Sequence, residues 1–491
     1  VTRPRAGRWG VRRGLAAAAL VALAAAAACG APRAAKSTAA PRAAFTPTAA
    51  QEAFLDTLER RTFFWFWDLS DPRTGLTPDR WPTRSFSSIS ATGFALTAYG
   101  IGESRGWITR DQARTRTLAT LRFFRDARQD TARAGSTGYR GFYYHFLDPA
   151  TGTRFENVEL STVDTALLLA GALFAQTWFD RDDPAEREIR AIADTLMARA
   201  DWTWATVRPP MVVLAWSPEE GALPYDWRGY NESMLIPLLA LASTTHPADP
   251  AIWSNWTAAC RWGTFEGQEH VGFGPLFGHH YSHLWWDFRG IQDSLMRAHG
   301  IDWAENARRA TLAQRAYAIR NPSGFRGYGE RLWGLSACDG PLDGAVVIDG
   351  RKREFHTYSA RGASRDEIVD DGTIAPTAAG GSTAFAPEVS IPALMAMRAD
   401  WGAQGFNAYG FVDALNPTLN VKADVHQGRI VPGVGWFDTD QLGIDQGPIV
   451  AMIENLRTGL VWRTMRRNAY VVRGLQRAGF TGGWLDSVAT R

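Results

Sequence analysis

Hydrophobic and polar positions along this chain recur with helical rather than strand spacing. Six times a polar or Gly/Pro-containing stretch opens into an apolar run. The starts lie near Ser90 (SATGFALTAYGIG), Ser161 (STVDTALLLAGALFA), Asn231 (NESMLIPLLALAS), Tyr281 (YSHLWWDFRGIQD), Phe385 (FAPEVSIPALMAM) and Gln446 (QGPIVAMIENLRTG). The runs from Ser161 and Asn231 are apolar nearly all round, which predicts helices enclosed by protein. Between them, residues 110–129, 183–199, 303–320 and 455–478 carry apolar stripes among many charged positions, the pattern of helices with one face in water. Alternation of the two kinds predicts an all-α fold, an (α/α)6 toroid in which an inner ring of helices is wrapped by an outer one. An irregular helical protein without closure is the competing reading. Short strands are expected in loops, around Met211 to Ala215 and Gly344 to Ile348, where β-branched residues cluster.

In such a toroid the N-termini of the inner helices form one mouth, where free backbone N–H groups and helix dipoles favour negative charge. Three carboxylates stand at these starts: Asp164, Glu232 and Asp445. Each adjoins an apolar run, so partial burial can move its pKa into a catalytic range. Each could equally serve as a helix-start charge with no chemistry. Their convergence on one mouth favours catalysis. Tyr230, Asn231, Trp286, Arg289, Trp436 and Gln446 fall near the same starts and are candidate sugar-binding groups, with core packing as the alternative for each aromatic. His279, His283 and Asp287 have the four-residue spacing of ligands on one helix face. The favoured reading gives no metal: these imidazoles, and that of His280, hydrogen-bond sugar hydroxyls or neighbouring loops. Glu388 and Glu454 are further acidic candidates, Glu454 as a buried structural partner.

The N-terminus changes the charge argument. Arg3, Arg5, Arg8, Arg12 and Arg13 precede an Ala/Leu/Val run ending at Ala26-Ala27-Ala28-Cys29-Gly30, which reads as a signal peptide with a lipidated Cys29. It departs from the usual lipobox in having Ala three residues before the cysteine. Residues 1–29 are assigned to this signal, 30–50 to a flexible Ala/Pro/Ser/Thr tether, and 51–491 to one domain. The expected protein is an exported, periplasmic or cell-surface lipoprotein, bound to the membrane through its lipid. The whole chain has 53 Lys+Arg against 50 Asp+Glu; removing the five signal arginines leaves 48 against 50. Nothing in that balance suggests a nucleic-acid partner. Three cysteines exclude a disulfide scaffold, and whether Cys260 and Cys338 pair stays open. The 21 tryptophans suit stacking on sugar rings as well as core packing.

The blocks STVDTALLLAG, GYNESMLIPLLAL, PLFGHHYSHLWWDFRG, GTIAPTAAGGSTAFAPE and GWFDTDQLGIDQGPIVAMIENLRTGLVW resemble the bacterial glycoamylase-like family, which includes the β-1,2-glucanases of glycoside hydrolase family 144. The resemblance runs from about Phe54 to Gly483. It implies an (α/α)6 barrel that hydrolyses linear β-1,2-glucan with inversion and without a cofactor. Carried over by position, it implies Glu232 as general acid, Asp445 as base acting through a substrate hydroxyl, and Asp164 as a third acidic residue. It also implies that the Gly-rich segment GERLWGLSACDGP forms a cleft loop, with Arg331 and Asp339 on substrate. A polysaccharide lyase using Tyr281 and His280, a transglycosylase, and a non-catalytic glycan-binding lipoprotein are the alternatives. Linkage, endo or exo action and oligomeric state are left open by the sequence.

Overall fold

The computed structural model describes residues 45–488. The signal peptide, Cys29 and nearly all of the tether therefore lie outside the described residues. The first helix, Ala49–Leu69, begins inside the stretch assigned to the tether, with Thr48 and Gln51 forming a capping box.

The chain is mostly helical, and its buried helices follow the apolar runs. Ile89–Ser104 and Thr162–Trp178 are buried around nearly their whole circumference. They cross at glycines because only bare backbone fits there. A Cβ on Gly171 would sit 2.1 Å from Gly93 O, and one on Gly93 would sit 2.5 Å from Leu167 O. Gly443–Arg457 packs on the first of these helices in the same manner, with Gly447 against the ring of Phe94. Half-buried helices cover this core. Arg110–Asp126 starts from a Thr109–Gln112 capping box, and Pro184–Arg199 from an Asp183 cap with proline at the first turn. Arg110 joins the two through Glu186 at 2.7 Å. Trp303–Arg320 is the half-buried helix its pattern predicts.

Three expected elements differ. The buried helix near Phe385 is instead the short Pro376–Gly380, and Pro387–Trp401 buries one face only. The stretch 455–478 is broken: the buried helix runs on to Arg457, and Leu460–Met465 and Ala469–Arg477 follow separately. Gly459, in the left-handed region at φ 70°, makes the first break. The Asn231 start opens as a 3-10 turn, Glu232–Met234, before the helix Leu235–Ala242.

Strands are short but decide where helices begin. Ser87–Ser88, Leu160–Ser161 and Gln441–Leu442 are two-residue strands, each running directly into a buried helix. Leu160–Ser161 is the middle strand of a five-stranded sheet, between Phe142–Tyr144 and Ala215–Ser217. Gln441–Leu442 pairs with Arg80–Trp81, and Ser87–Ser88 with both Thr77–Pro78 and Phe146–Leu147. Backbone pairing thus fixes the last residue before each helix. Gly344–Ile348 forms the expected strand, in a hairpin with Arg351–Phe355; Met211 to Ala215 contributes isolated bridges and the first residue of Ala215–Ser217. Cys260 and Cys338 are both free. No helix among the described residues is long and apolar enough to cross a membrane.

Gly171→Ala is expected to cost about 1–3 kcal/mol, because the clash is with backbone that cannot swing away. Thermal and urea denaturation check this against Gly329→Ala, where an added Cβ meets nothing within 4 Å and stability should stay unchanged.

Candidate active site

Asp164 lies in the first turn of Thr162–Trp178, where Ser161 caps its backbone N–H. Both carboxylate oxygens are engaged: Ser90 Oγ donates to one at 2.7 Å and Ser161 Oγ to the other at 2.5 Å. His145 Nε2 stands 3.4 Å away, and His145 Nδ1 is 2.7 Å from Glu159. Burial opposes charge on this imidazole, but Asp164 and Glu159 outweigh it and raise its pKa to about 9. Asp164 therefore ties two helix starts and a protonated histidine together.

Glu232 heads the 3-10 turn after its cap Asn231, whose side chain accepts the Ser233 N–H. Ser282 locks this turn to the Tyr281–Trp285 helix: its hydroxyl donates to Glu232 O and accepts from Leu235 N. Glu232 as a whole residue is half-buried. Surrounding protein pushes its pKa up to about 7, and the charge of Asp164 adds to the effect.

Asp445 sits in the first turn of Gly443–Arg457, 2 % exposed. Its pKa is likewise raised to about 7, first by burial and then by Asp339 and Asp79, against a hydrogen bond with Asp413 that pulls it down. Tyr281 connects the group. Its hydroxyl is driven well above its ordinary pKa by burial, then by Asp445, Tyr358, Glu232 and Asp164 in turn. The three sequence-predicted carboxylates thus act on one buried phenol.

Around Asp445 the structure gathers Asp79, Asp339, Asp413, Asp438 and Asp440, with Arg80 among them. Arg80 reaches Asp339 at 2.7 Å, Asp79 at 3.3 Å and Asp440 at 3.7 Å. Oxygens of Asp339, Asp413 and Asp438 lie within 4.8 Å of one another, a spacing that a hard cation could use. Of these three, Arg80 pairs with Asp339. Tyr358, just after the 344–355 hairpin, acts electrostatically on Asp445, Asp413, Asp79 and Asp339 while its residue is 54 % exposed.

The other candidate residues are placed elsewhere. Tyr230 turns inward, stacked on Trp303 with centroids 4.9 Å apart and paired with His283 Nε2 at 3.0 Å. His280 is buried against Ser382 Oγ at 2.9 Å, and burial lowers its pKa to about 3. His279 Nε2 meets Phe273 O, and Asp287 pairs with Arg289 and Arg466, so His279, His283 and Asp287 do not converge. Trp286 is core, and Arg289 lies over Trp462 at 3.8 Å. Trp462 donates its indole N–H to His283 O and its backbone N–H to Asn455 Oδ1, and Asn455 lies about ten residues down the helix from Asp445, roughly 15 Å at helical rise. Arg331 is an exposed partner of Asp400, and Glu388 pairs with Arg308. Trp436 is fully buried, donating to Gln427 O, and Gln446 is buried with its amide directed at Phe411 O. Glu454 is the structural partner expected, held by Arg105 at 2.6 Å.

The residues that sequence reasoning missed are His145, Glu159, Asp79, Arg80, Asp413 and Tyr358. They lie in loops and two-residue strands, where no periodicity marks them. Asp438 and Asp440 stand within the GWFDTDQLGID block, beside the residue that was singled out.

With this geometry in place, comparison with known proteins assigns the class. The glycoamylase family model, described as "Putative glucoamylase", matches residues 224–469, half of the chain. The chain belongs to that family. A "putative glucoamylase" from Bacteroides uniformis is 31% identical, with a TM-score of 0.76 over 89% of this chain and 100% of that one. An endo-β-1,2-glucanase from Chitinophaga pinensis, solved with sophorotriose and glucose, is 26% identical, with a TM-score of 0.75 over 89% and 100%. An exo β-1,2-glucooligosaccharide sophorohydrolase acting at the non-reducing end, from Parabacteroides distasonis, is 27% identical over 454 residues, 86% of this chain; the match spans 57% of that relative's length.

The raised pKa of Asp445 carries a stability consequence. The folded chain holds a proton there that the unfolded chain releases near pH 4, so stability contributed by this group is lost as pH rises towards 7. Asp445→Asn removes the charge and should raise Tm at pH 8 by about 1–3 °C, with little change at pH 4. Differential scanning calorimetry at the two pH values checks it; a Tm that falls at pH 8 contradicts the burial argument.

Proposed function

We propose that this protein hydrolyses β-1,2-linked glucan with inversion, Glu232 acting as general acid and Asp445 as base. The observation that carries the reading is the pair itself. Two carboxyl groups on separate elements, both raised to about 7 and both acting on Tyr281, supply the acid and base that glycoside cleavage requires. Glu232, half-buried as a residue, suits the group that meets the glycosidic oxygen. Asp164 and His145 position it rather than react, since both oxygens of Asp164 already accept hydrogen bonds. The likeness to a Chitinophaga endo-β-1,2-glucanase and a Parabacteroides sophorohydrolase supports the linkage.

In this reading the helices close as an (α/α)6 toroid, supported by the alternation of buried and half-buried helices along the chain. Asn231, next to the acid, is retained as a substrate contact. A lyase mechanism is disfavoured because a phenol pushed as far up as Tyr281 is a poor base. The protein is further read as an exported lipoprotein held by Cys29, a reading supported by the basic, apolar and small-residue order of residues 1–30; globomycin should block its processing.

Purified protein incubated with a panel of linear glucans should release reducing sugar from β-1,2-glucan, with no ultraviolet-absorbing unsaturated product. Glu232→Gln and Asp445→Asn should each lower kcat at least about a hundredfold while remaining folded. Because Glu232 must keep its proton and Asp445 must lose one, kcat should be greatest near pH 7 and fall on either side. Near-normal turnover by both variants would refute the assignment.

A further inference from the structure

Asp413 has no role in the mechanism so far, yet it is the side chain most closely bound up with Asp445. It follows the short strand Gly410–Phe411, and its own backbone N–H is tied to Asp440 O at 2.8 Å. Asp339 N donates to Asp413 Oδ2 at 2.7 Å. Asp413 Oδ1 and Asp445 Oδ2 are both fully buried, and no protein N–H or O–H reaches either. The two carboxyl groups nevertheless stand within hydrogen-bonding distance of each other. Two carboxylates cannot hydrogen-bond without a proton between them, and two buried oxygens left bare would each carry a large desolvation cost.

We infer that Asp413 and Asp445 hold one proton between them and work as a single acid–base unit, with Asp413 the positioning residue. The inference rests on the proposed function for its catalytic part only. In the singly protonated unit the proton sits on Asp413, which donates it to Asp445 and leaves the negative charge there. Asp445 can then accept a proton during glycoside cleavage and later return it to solvent, while Asp413 keeps its own. The surroundings favour one charge over two. Asp339 and Asp79 face Asp445, Asp339 and Asp438 face Asp413, and the phenols of Tyr281 and Tyr358 and the thiol of Cys338 complete the wall. Arg80 acts on Asp413 and is already paired with Asp339. The dipole of the Gly443–Arg457 helix directs the remaining charge to Asp445, in its first turn.

The test reads protons and turnover separately. In a differential proton titration of the free enzyme between about pH 9 and pH 5, wild type should take up one proton more than Asp413→Asn, and one more than Asp445→Asn. Asp438→Asn should keep that step. The carboxylic-acid C=O stretch in the infrared should be lost with the step. In turnover, Asp413→Asn, whose amide still donates to Asp445, should stay within about tenfold of wild type below pH 7, whereas Asp413→Ala should fall about a hundredfold or more. Equal proton uptake by wild type and both Asn variants overturns the shared proton, as does loss of the step in Asp438→Asn. Equal kcat losses in Asp413→Asn and Asp413→Ala, with unchanged pH profiles, overturn the positioning role. If wild type leaves β-1,2-glucan intact, the functional reading fails, while the titration still decides the proton.

Discussion

Negative charge buried at helix starts is the constraint on which this site depends. A carboxylate taken out of water must find a cation, hydrogen-bond donors or a proton, and which of these it finds sets what it can do. The chain offers two buried carboxyl pairs for comparison. Glu59 and Glu454 hydrogen-bond each other, but Arg105 and Arg457 stand beside them, at 2.6 Å from Glu454 and Glu59 respectively. Two guanidinium groups against two carboxyls leave a balanced network that ties the first helix to the buried Gly443–Arg457 helix. At the other end of that same helix six aspartates gather, and Arg80 pairs with three of them, Asp79, Asp339 and Asp440. In the first arrangement burial and Glu454 hold Glu59 well above the usual carboxylate range even beside two guanidinium groups, so a proton is kept there as well. The second is short of cations and remains poised near neutral pH.

The fold makes such a concentration of charge possible by placing the helix starts with backbone. Each two-residue strand at Ser88, Ser161 and Leu442 fixes where its helix begins, and the helix's unpaired N–H groups then face the cleft. Glycine contacts such as Gly93 on Gly171 allow the buried helices to approach closely enough for their starts to share one site. Ser90 on Ile89–Ser104 and Ser161 before Thr162–Trp178 meet on Asp164, which is the direct product of that approach.

What the sequence made legible follows from this construction. Periodicity over ten residues or more is a strong signal, so Trp303–Arg320 and the runs from Ser90 and Ser161 were readable, and with them Asp164, Glu232 and Asp445. Break points were not: Gly459 ends a helix by a backbone conformation, and the apolar run after Phe385 is half-buried because the enclosed position is filled by Pro376–Gly380 just before it. Proximity to a helix start was a poor guide to side-chain direction, as Tyr230, His280 and Gln446 show by pointing into packed protein. Tryptophan abundance misled for a related reason. Trp286 and Trp436 are among the largest fully buried side chains, so much of the indole content is core material.

The difference in exposure between the two proposed catalytic groups also bears on mechanism. Glu232 is half-buried as a residue, which suits the acid role proposed for it. Asp445 is 2 % exposed, and its charge acts on both Tyr281 and Tyr358. In the proposed mechanism a proton bound for Asp445 travels over a hydroxyl that penetrates to it, and the sugar ring itself carries hydroxyls. Direct activation of water would require a base open to the cleft on the face opposite the acid. A base this deeply set, held by a shared proton and a helix terminus, is built for a relay.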